Sequence, residues 1–265
     1  MKHPARLLST LSVGLALGCS ASFAYTAEAD NSWQHRVILY GWFPTTSGTL
    51  KYDLPGGDEA EADASDIISN LSGVFMGAYE GQKGLWSVKT DLIYIDLSNT
   101  ESNSVSIPVG PGSIPIDLEA KQSMSAWVVG LYGGYNIWNT EKLKLDLLAG
   151  LRYLSMDADA KLDISSPVLP TLPTLKLSRS ADLWDGIIGV KGNYKINDKW
   201  FIPYHLDIGT GDSNLTWQAV GSIGYRFNNI DLLLSYRHLY YDQGGSKLIQ
   251  GMSLSGPALG LSFSF

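Results

Sequence analysis

The chain has one cysteine, Cys19, in 265 residues, which excludes a disulfide framework and a cysteine-based zinc site. Charge is also scarce. Asp, Glu, Lys and Arg make up 17% of the residues, against about 25% in ordinary soluble domains. Basic runs are missing and the formal net charge is −7, so phosphate neutralisation is out of reach and no nucleic-acid partner is expected. Long hydrophobic runs are lacking as well. The stretch Leu7–Leu17 holds eleven residues, where a spanning helix needs about 20. Gln122–Thr140 and Leu248–Phe265 carry no charge, but both alternate and are interrupted by Gly, Ser or Asn. No nucleophile elbow, phosphate loop or His-Glu zinc motif occurs. No cofactor and no metal are expected.

What is present is an export signal. Lys2, His3 and Arg6 precede Leu7–Leu17, and the small residues that follow end in Ser22-Phe23-Ala24. This pattern predicts cleavage before Tyr25. Residues 1–24 are then a signal peptide and 25–265 the mature domain. A lipoprotein signal at Cys19 is the alternative, but Ala16 stands where such signals carry leucine.

The mature chain reads as ten alternating segments. They lie near Trp33–Phe43, Leu71–Gln82, Leu85–Leu97, Gln122–Trp138, Lys142–Ser155, Ala181–Ile196, Trp200–Gly209, Leu215–Phe227, Ile230–Tyr240 and Met252–Phe265. Period-two alternation is the strand signal, and these lengths suit tilted membrane strands better than soluble sheets. Lys83-Gly84, Asn139-Thr140-Glu141, Asn197-Asp198-Lys199 and Asn228-Asn229 form short connections, rich in residues that tolerate positive φ. The remaining connections are mostly long: 44–70, 98–121, 156–180 and 241–251, with 210–214 the short exception. Short turns on one side and long loops on the other are the layout of an outer-membrane barrel.

Aromatic placement decides which face meets lipid. On the apolar faces Trp86 precedes Tyr94 by eight residues, Trp127 precedes Tyr135 by eight, and Trp184 precedes Tyr194 by ten. At about 3.3 Å per residue and about 40° of tilt, such pairs stand roughly 20–25 Å apart. That is the height of a lipid-facing band with aromatic rings at both interfaces.

The last strand alternates Leu259, Leu261, Phe263 and Phe265 with Gly260, Ser262 and Ser264, and ends on Phe265. It resembles the terminal strand of Gram-negative outer-membrane barrels, and in plan the chain is similar to small integral barrels of the OmpA, OmpW and omptin kinds. The resemblance implies a place in the outer membrane after export. It also implies contact with outer-membrane lipid and lipopolysaccharide, and recognition of the strand ending in Phe265 by the barrel assembly machinery. The fold expected is an all-β, antiparallel up-and-down transmembrane barrel of about ten strands, with twelve or eight as alternatives.

With the apolar faces turned to lipid, the inward charges are Lys89, Lys144, Arg152, Lys191, Arg226 and Arg237 against Glu80, Asp91, Asp146, Asp185, Asp207 and Asp231. The turn Asn228-Asn229 sets Arg226 opposite Asp231, and Lys83-Gly84 makes Glu80 a diagonal neighbour of Lys89. A lumen this narrow admits side chains or one small ligand. Balanced charges are therefore expected to fill it by pairing, because unpaired buried charges are costly; a narrow water path is the alternative. His205 and Asp207 share a face and are the candidate catalytic pair of an outer-leaflet barrel enzyme. No serine or second acid marks itself as their partner, so a satisfied lumen histidine is the preferred reading. His238, beside Tyr240 and Tyr241, reads as part of an interfacial girdle.

The loops carry the remaining signals. The first is acidic, with Asp53, Asp58, Glu59, Glu61, Asp63 and Asp66 against Lys51, and offers a surface for adhesion or a receptor role. Ser65 or Asp66 could cap a short helix there. The second and third are apolar and proline-rich. Ile107, Val109 and Ile114 in one, and Val168, Leu169 and Leu172 in the other, predict packing over the mouth or a rim that captures an apolar solute. The leading expectation is a non-enzymatic integral barrel, structural or passing or binding a small, hydrophobic solute.

Overall fold

The computed structural model describes residues 32–53, 59–63, 71–109, 112–166, 174–244 and 249–265. The signal-peptide reading of residues 1–24 lies outside them. Among the described residues there are twelve strands: β1 Gln34–Trp42, β2 Thr45–Asp53, β3 Glu59–Asp63, β4 Leu71–Lys83, β5 Trp86–Val109 and β6 Gly112–Asn139, then β7 Leu143–Ser165, β8 Leu175–Lys195, β9 Trp200–Gly211, β10 Leu215–Phe227, β11 Ile230–Asp242 and β12 Ile249–Ser264. β1 and β4–β12 pair antiparallel in sequence order, and β1 closes on β12. The result is a closed ten-stranded barrel. Closure gives every strand of the wall a hydrogen-bonded neighbour on each side, the condition for strands to lie in hydrocarbon.

The short turns do what their residues allow. Gly84 and Asn228 take positive φ, 57° and 53°, the conformation hairpin turns demand. Asn197 Oδ1 accepts from Lys199 N and Trp200 N at 2.9 and 2.8 Å, so the side chain itself organises that turn. These connections lie at one end of the barrel, the turn end, with both chain termini of the sheet. Phe265 N donates to His35 O there.

Two rings of aromatics face outward. Trp86 packs edge-on against Tyr135 at 4.9 Å between centroids, and Trp200 against Tyr225 at 4.8 Å, near the turn end. Tyr94 meets Trp127 at 4.4 Å and Tyr153 meets Trp184 at 4.6 Å toward the other. Each pair sits on neighbouring strands, so cross-strand contact adds to the interfacial preference of the rings. Between the rings the exposed side chains are aliphatic, among them Leu131, Leu151, Ile188, Leu206, Ile223 and Leu234. This chain is an outer-membrane-type barrel by its own geometry.

The long connections differ from the expected loops. β5 and β6 stay in register as far as Val109↔Gly112, and β7 and β8 as far as Leu162↔Leu175. Thus 98–121 and most of 156–180 prolong hairpins beyond the upper aromatic ring. Ile107 lies opposite Ile114, and Val109 opposite Gly112, so these rim candidates occupy strand positions rather than a loop. β-branched residues every second position favour that outcome over a coil. Val168, Leu169 and Leu172 lie outside the described residues. Just past the last rung of the third hairpin, Leu162↔Leu175, Asp163 accepts from Lys161 and Thr174 at 2.6 and 2.7 Å. Those bonds hold its carboxyl below the usual range. The acidic first connection is also a hairpin, β2–β3, with Lys51 in register with Glu61 and Asp53 with Glu59. Asp58, and the cap expected at Ser65 or Asp66, lie outside the described residues.

The turn at Asn228 yields a prediction. Asn228→Gly is expected to leave stability unchanged or slightly raised. Asn228→Val is expected to cost about 1–2 kcal/mol, because a β-branched residue is disfavoured at positive φ. Urea titration of the refolded barrel, followed by the gel shift between boiled and unboiled samples, measures both.

Candidate functional site

Strand alternation carries one face of every strand into the lumen, and the twelve charges expected there line or approach it. Arg152 and Asp185 are each 1% exposed, and Asp91, Asp146, Asp207, Asp231 and Arg237 are buried. Lys89, Lys144, Lys191 and Glu80 line a cavity of about 520 Å³ in the turn-end half, with Arg36 and His205. Arg36 is an inward cation that the sequence reading left out. Arg226 faces Asp231 directly, Nε to Oδ1 at 2.9 Å, as expected. Glu80 stands directly opposite Lys89 in register rather than diagonal to it. The two-residue turn is Gly84-Leu85 rather than Lys83-Gly84, with Lys83 paired to Trp86, and this moves the register by two residues. Glu80 instead approaches Lys191 at 3.7 Å and Arg36 at 3.9 Å. Lys191 also approaches Asp146 at 3.7 Å, which Asn136 Nδ2 bonds at 2.6 Å, and Lys144 bonds Gln82.

At mid-height the charges close into one layer built on two guanidinium groups. Arg237 donates to Asp91 Oδ2 at 2.8 Å, to Tyr40 Oη at 2.9 Å and to Gln218 Oε1. Tyr40 in turn donates to Asp91 Oδ1 at 2.6 Å. Arg152 Nη2 reaches both oxygens of Asp207 at 2.6 Å and Tyr132 Oη at 3.1 Å, and its Nη1 reaches Thr216 Oγ1 at 3.1 Å. Gln218 joins the two clusters, since its Nε2 also approaches Asp207 at 3.4 Å. Arg152 is in register with Asp185 yet ion-pairs with Asp207, one strand further along the wall on β9. Asp185 Oδ1 accepts from Ser213 N at 2.9 Å instead.

His205 and Asp207 do come together, Nε2 to Oδ2 at 2.6 Å. Both are buried, Nδ1 of the ring lies 3.4 Å from Lys89 Nζ, and Tyr132 packs edge-on at 5.4 Å. The pair is part of the ionic layer. His238 stacks on Trp217 at 4.3 Å and bonds Ser255 Oγ at 2.5 Å, which fits its expected place near the upper ring.

Above the layer the lumen changes character. Met76, Ile93, Leu97, Met124, Val128, Leu154, Met156, Leu239 and Met252 form a buried apolar cluster with Trp42 and Tyr241. They surround a second cavity of about 240 Å³ that shares no lining residue with the first. Its lining includes four of the chain's five methionines. Trp42 forms part of the floor, its Nε1 bonded to Gly256 O at 3.2 Å and its ring 5.0 Å from the Arg237 guanidinium. This chamber was not anticipated, although its signal is present in the strands. The inward face of β5 runs Lys89, Asp91, then Ile93, Ile95 and Leu97. That of β7 runs Asp146, Leu148, Gly150, Arg152, then Leu154, Met156 and Ala158.

No family model matches the chain, and no curated protein does. Solved structures similar to it include the translocator domain of the autotransporter NalP from Neisseria meningitidis, 17% identical over 91% of this chain and 90% of that one, with a TM-score of 0.39. Ail of Yersinia pestis is 13% identical over 88% and 98%, with a TM-score of 0.32. The toluene transporter TodX of P. putida is 11% identical over 89% and 90%, with a TM-score of 0.30. At these scores the likeness extends to the barrel class alone, which the geometry already establishes.

Two outcomes follow from the ionic layer. Asp91→Ala leaves Arg237 buried without its carboxylate and is expected to cost about 3–5 kcal/mol, read as a lowered urea midpoint. In a planar bilayer the refolded native barrel is expected to pass no stable ionic steps. The double variant Arg152→Ser/Arg237→Ser, if it retains the gel shift, should conduct. Steps of native size in both chains would mean that the layer does not close the lumen.

Proposed function

We propose that the chain is a non-enzymatic integral barrel of the Gram-negative outer membrane that binds and passes a small hydrophobic solute. In this reading the turn end faces the periplasm and the prolonged hairpins face outward, as in barrels whose long loops are extracellular. Contact with lipopolysaccharide at the upper ring, and recognition by assembly machinery through the strand ending in Phe265, belong to the same proposal.

The apolar chamber carries the reading. A narrow barrel needs only a filled lumen to be stable, and interiors are normally packed to near-crystalline density. Here a space of about 240 Å³ is bounded by carbon and sulphur atoms. An apolar cavity of about 150 Å³ already takes up benzene, so an aromatic hydrocarbon or short aliphatic molecule suits this one. Methionine favours such a task. Its unbranched, polarisable side chain adapts to different apolar shapes. The ionic layer beneath opposes the onward passage of an uncharged apolar molecule, which would have to displace charge-assisted hydrogen bonds.

The non-enzymatic part of the proposal draws support from His205. With Asp207 on one ring nitrogen and Lys89 beside the other, the imidazole is occupied on both sides.

Naphthalene fluorescence tests the chamber in the refolded barrel held in lipid nanodiscs. Saturable binding near one molecule per barrel is expected, above the non-saturable partition into lipid. Val128→Gln/Leu154→Gln should weaken it at least tenfold while the gel shift persists. Equal binding by both chains would overturn the chamber as the site.

A further inference from the structure

The lower cavity holds more positive charge than its own carboxylates can pair. Two of the carboxylates that line it are committed to guanidinium groups: Asp91 to Arg237 at 2.8 Å, and Asp231 to Arg226 at 2.9 Å. Setting those pairs aside, the lining keeps Arg36, Lys89, Lys144 and Lys191 against Glu80 and Asp146. Four cations face two carboxylates.

Register places these groups in two arcs. Arg36, Glu80 and Lys89 are rung partners across β1, β4 and β5. Asp146, Lys191 and His205 are rung partners across β7, β8 and β9. The arcs approach each other over the lumen, where Lys191 Nζ stands 3.7 Å from Glu80 Oε1.

None of the ion pairs in this cluster is closed. Charge-assisted hydrogen bonds run at about 2.7–2.9 Å. Glu80 lies 3.7 Å from Lys191 and 3.9 Å from Arg36, and Asp146 lies 3.7 Å from Lys191. In the layer just above, Arg152 and Arg237 meet their carboxylates at 2.6 and 2.8 Å. The remaining two ammonium groups are held by neutral atoms. Lys144 donates to Gln82, and Lys89 stands 3.4 Å from His205 Nδ1. An ammonium carries donors only, so that nitrogen presents its lone pair and the ring is neutral. Among the described residues, no carboxylate lies within 4.0 Å of Lys89 or Lys144.

The opposite wall is of another kind. β10, β11 and β12 present Val220, Ser222, Leu233, Ser235, Gly260 and Ser262 to the same cavity, and Ser222 and Ser235 bond each other at 2.7 Å. These residues are small or aliphatic and carry no charge. The cavity, about 520 Å³, thus has a cationic side and a neutral side, and its volume is that of a small-molecule site.

We propose that this cavity binds a small organic dianion of the phosphomonoester class, taken from the water at the turn end. A phosphate monoester carries close to two negative charges near neutral pH, which match the two cations in excess. Its oxygens accept from Lys89, Lys144 and Lys191, and its carbon body lies against Val220 and Leu233. A cleft with one sign in excess concentrates the opposite ion, and lysine meets it as a flexible point charge. The site shares no lining residue with the apolar chamber and does not rest on the chamber reading.

Calorimetric titration of the refolded barrel in phosphatidylcholine nanodiscs, with phenyl phosphate as the probe, tests the site. One saturable event per barrel is expected, weakening as salt is raised. Benzoate, with a single charge, should bind at least tenfold more weakly. Lys89→Met removes a cation on which no carboxylate depends. It should weaken phenyl phosphate binding at least tenfold, with the gel shift and naphthalene saturation unchanged. Glu80→Gln separates a binding cluster from a merely structural one. Loss of the competing carboxylate should tighten phenyl phosphate at least threefold in a chain that keeps the gel shift. No saturable event in the native chain, equal binding by the native and Lys89→Met chains, or weaker binding after Glu80→Gln each overturns the site. Benzoate bound as tightly as phenyl phosphate overturns the preference for a dianion.

Discussion

Backbone hydrogen bonding in hydrocarbon is the constraint on which the rest of this molecule depends. A strand that meets lipid must find partners on both sides, and the only arrangement without edges is a closed sheet. Closure sets the diameter, and ten strands leave an interior only a few side chains wide. Every second residue of each strand enters that interior, so the inward half of the sequence must fill it. Lipid-facing positions are free to be simply aliphatic, and they are.

The filling is solved differently at two heights. In the lower half, charges stand in a wide polar space, with ion pairs of 3.7–3.9 Å around Glu80 and Lys191. At the middle, two buried guanidinium groups are held by carboxylates, phenols and Gln218. Buried arginine survives only when it is paired and its remaining donors are satisfied, which explains why Tyr40, Tyr132, Thr216 and Gln218 converge on two side chains. That layer separates water-compatible space from an apolar chamber above. The chamber is the part that pure stability does not require.

Much of this was legible in the residues. Alternation gave the strands to within a few positions at the turn end, because tight turns such as Asn228-Asn229 leave no latitude in register. The aromatic pairs identified the lipid face, and the charge balance identified the lumen. Three features escaped. The hairpin extensions beyond Leu97 and Ser155 were hidden by proline and by short polar residues, which read as loop when pairing partners are unknown. Arg152 choosing Asp207 over its register partner Asp185 is decided between strands two apart, β7 and β9, a relation that reading strands by adjacent pairs does not cover. The chamber was within reach: Ile93 and Leu97 follow Lys89 and Asp91 on one face, and Leu239 and Tyr241 follow Arg237. A shared change of polarity at one height becomes visible only when all strands are aligned by their turns.

The most direct measurement of the central claim, an apolar chamber above an ionic floor, is a crystal structure of the refolded barrel soaked with bromobenzene. The account predicts anomalous bromine density among Met76, Met124, Met156 and Met252, with no ordered water in that space. A chain of ordered water running through the same space past Arg237, and no bromine, would contradict it.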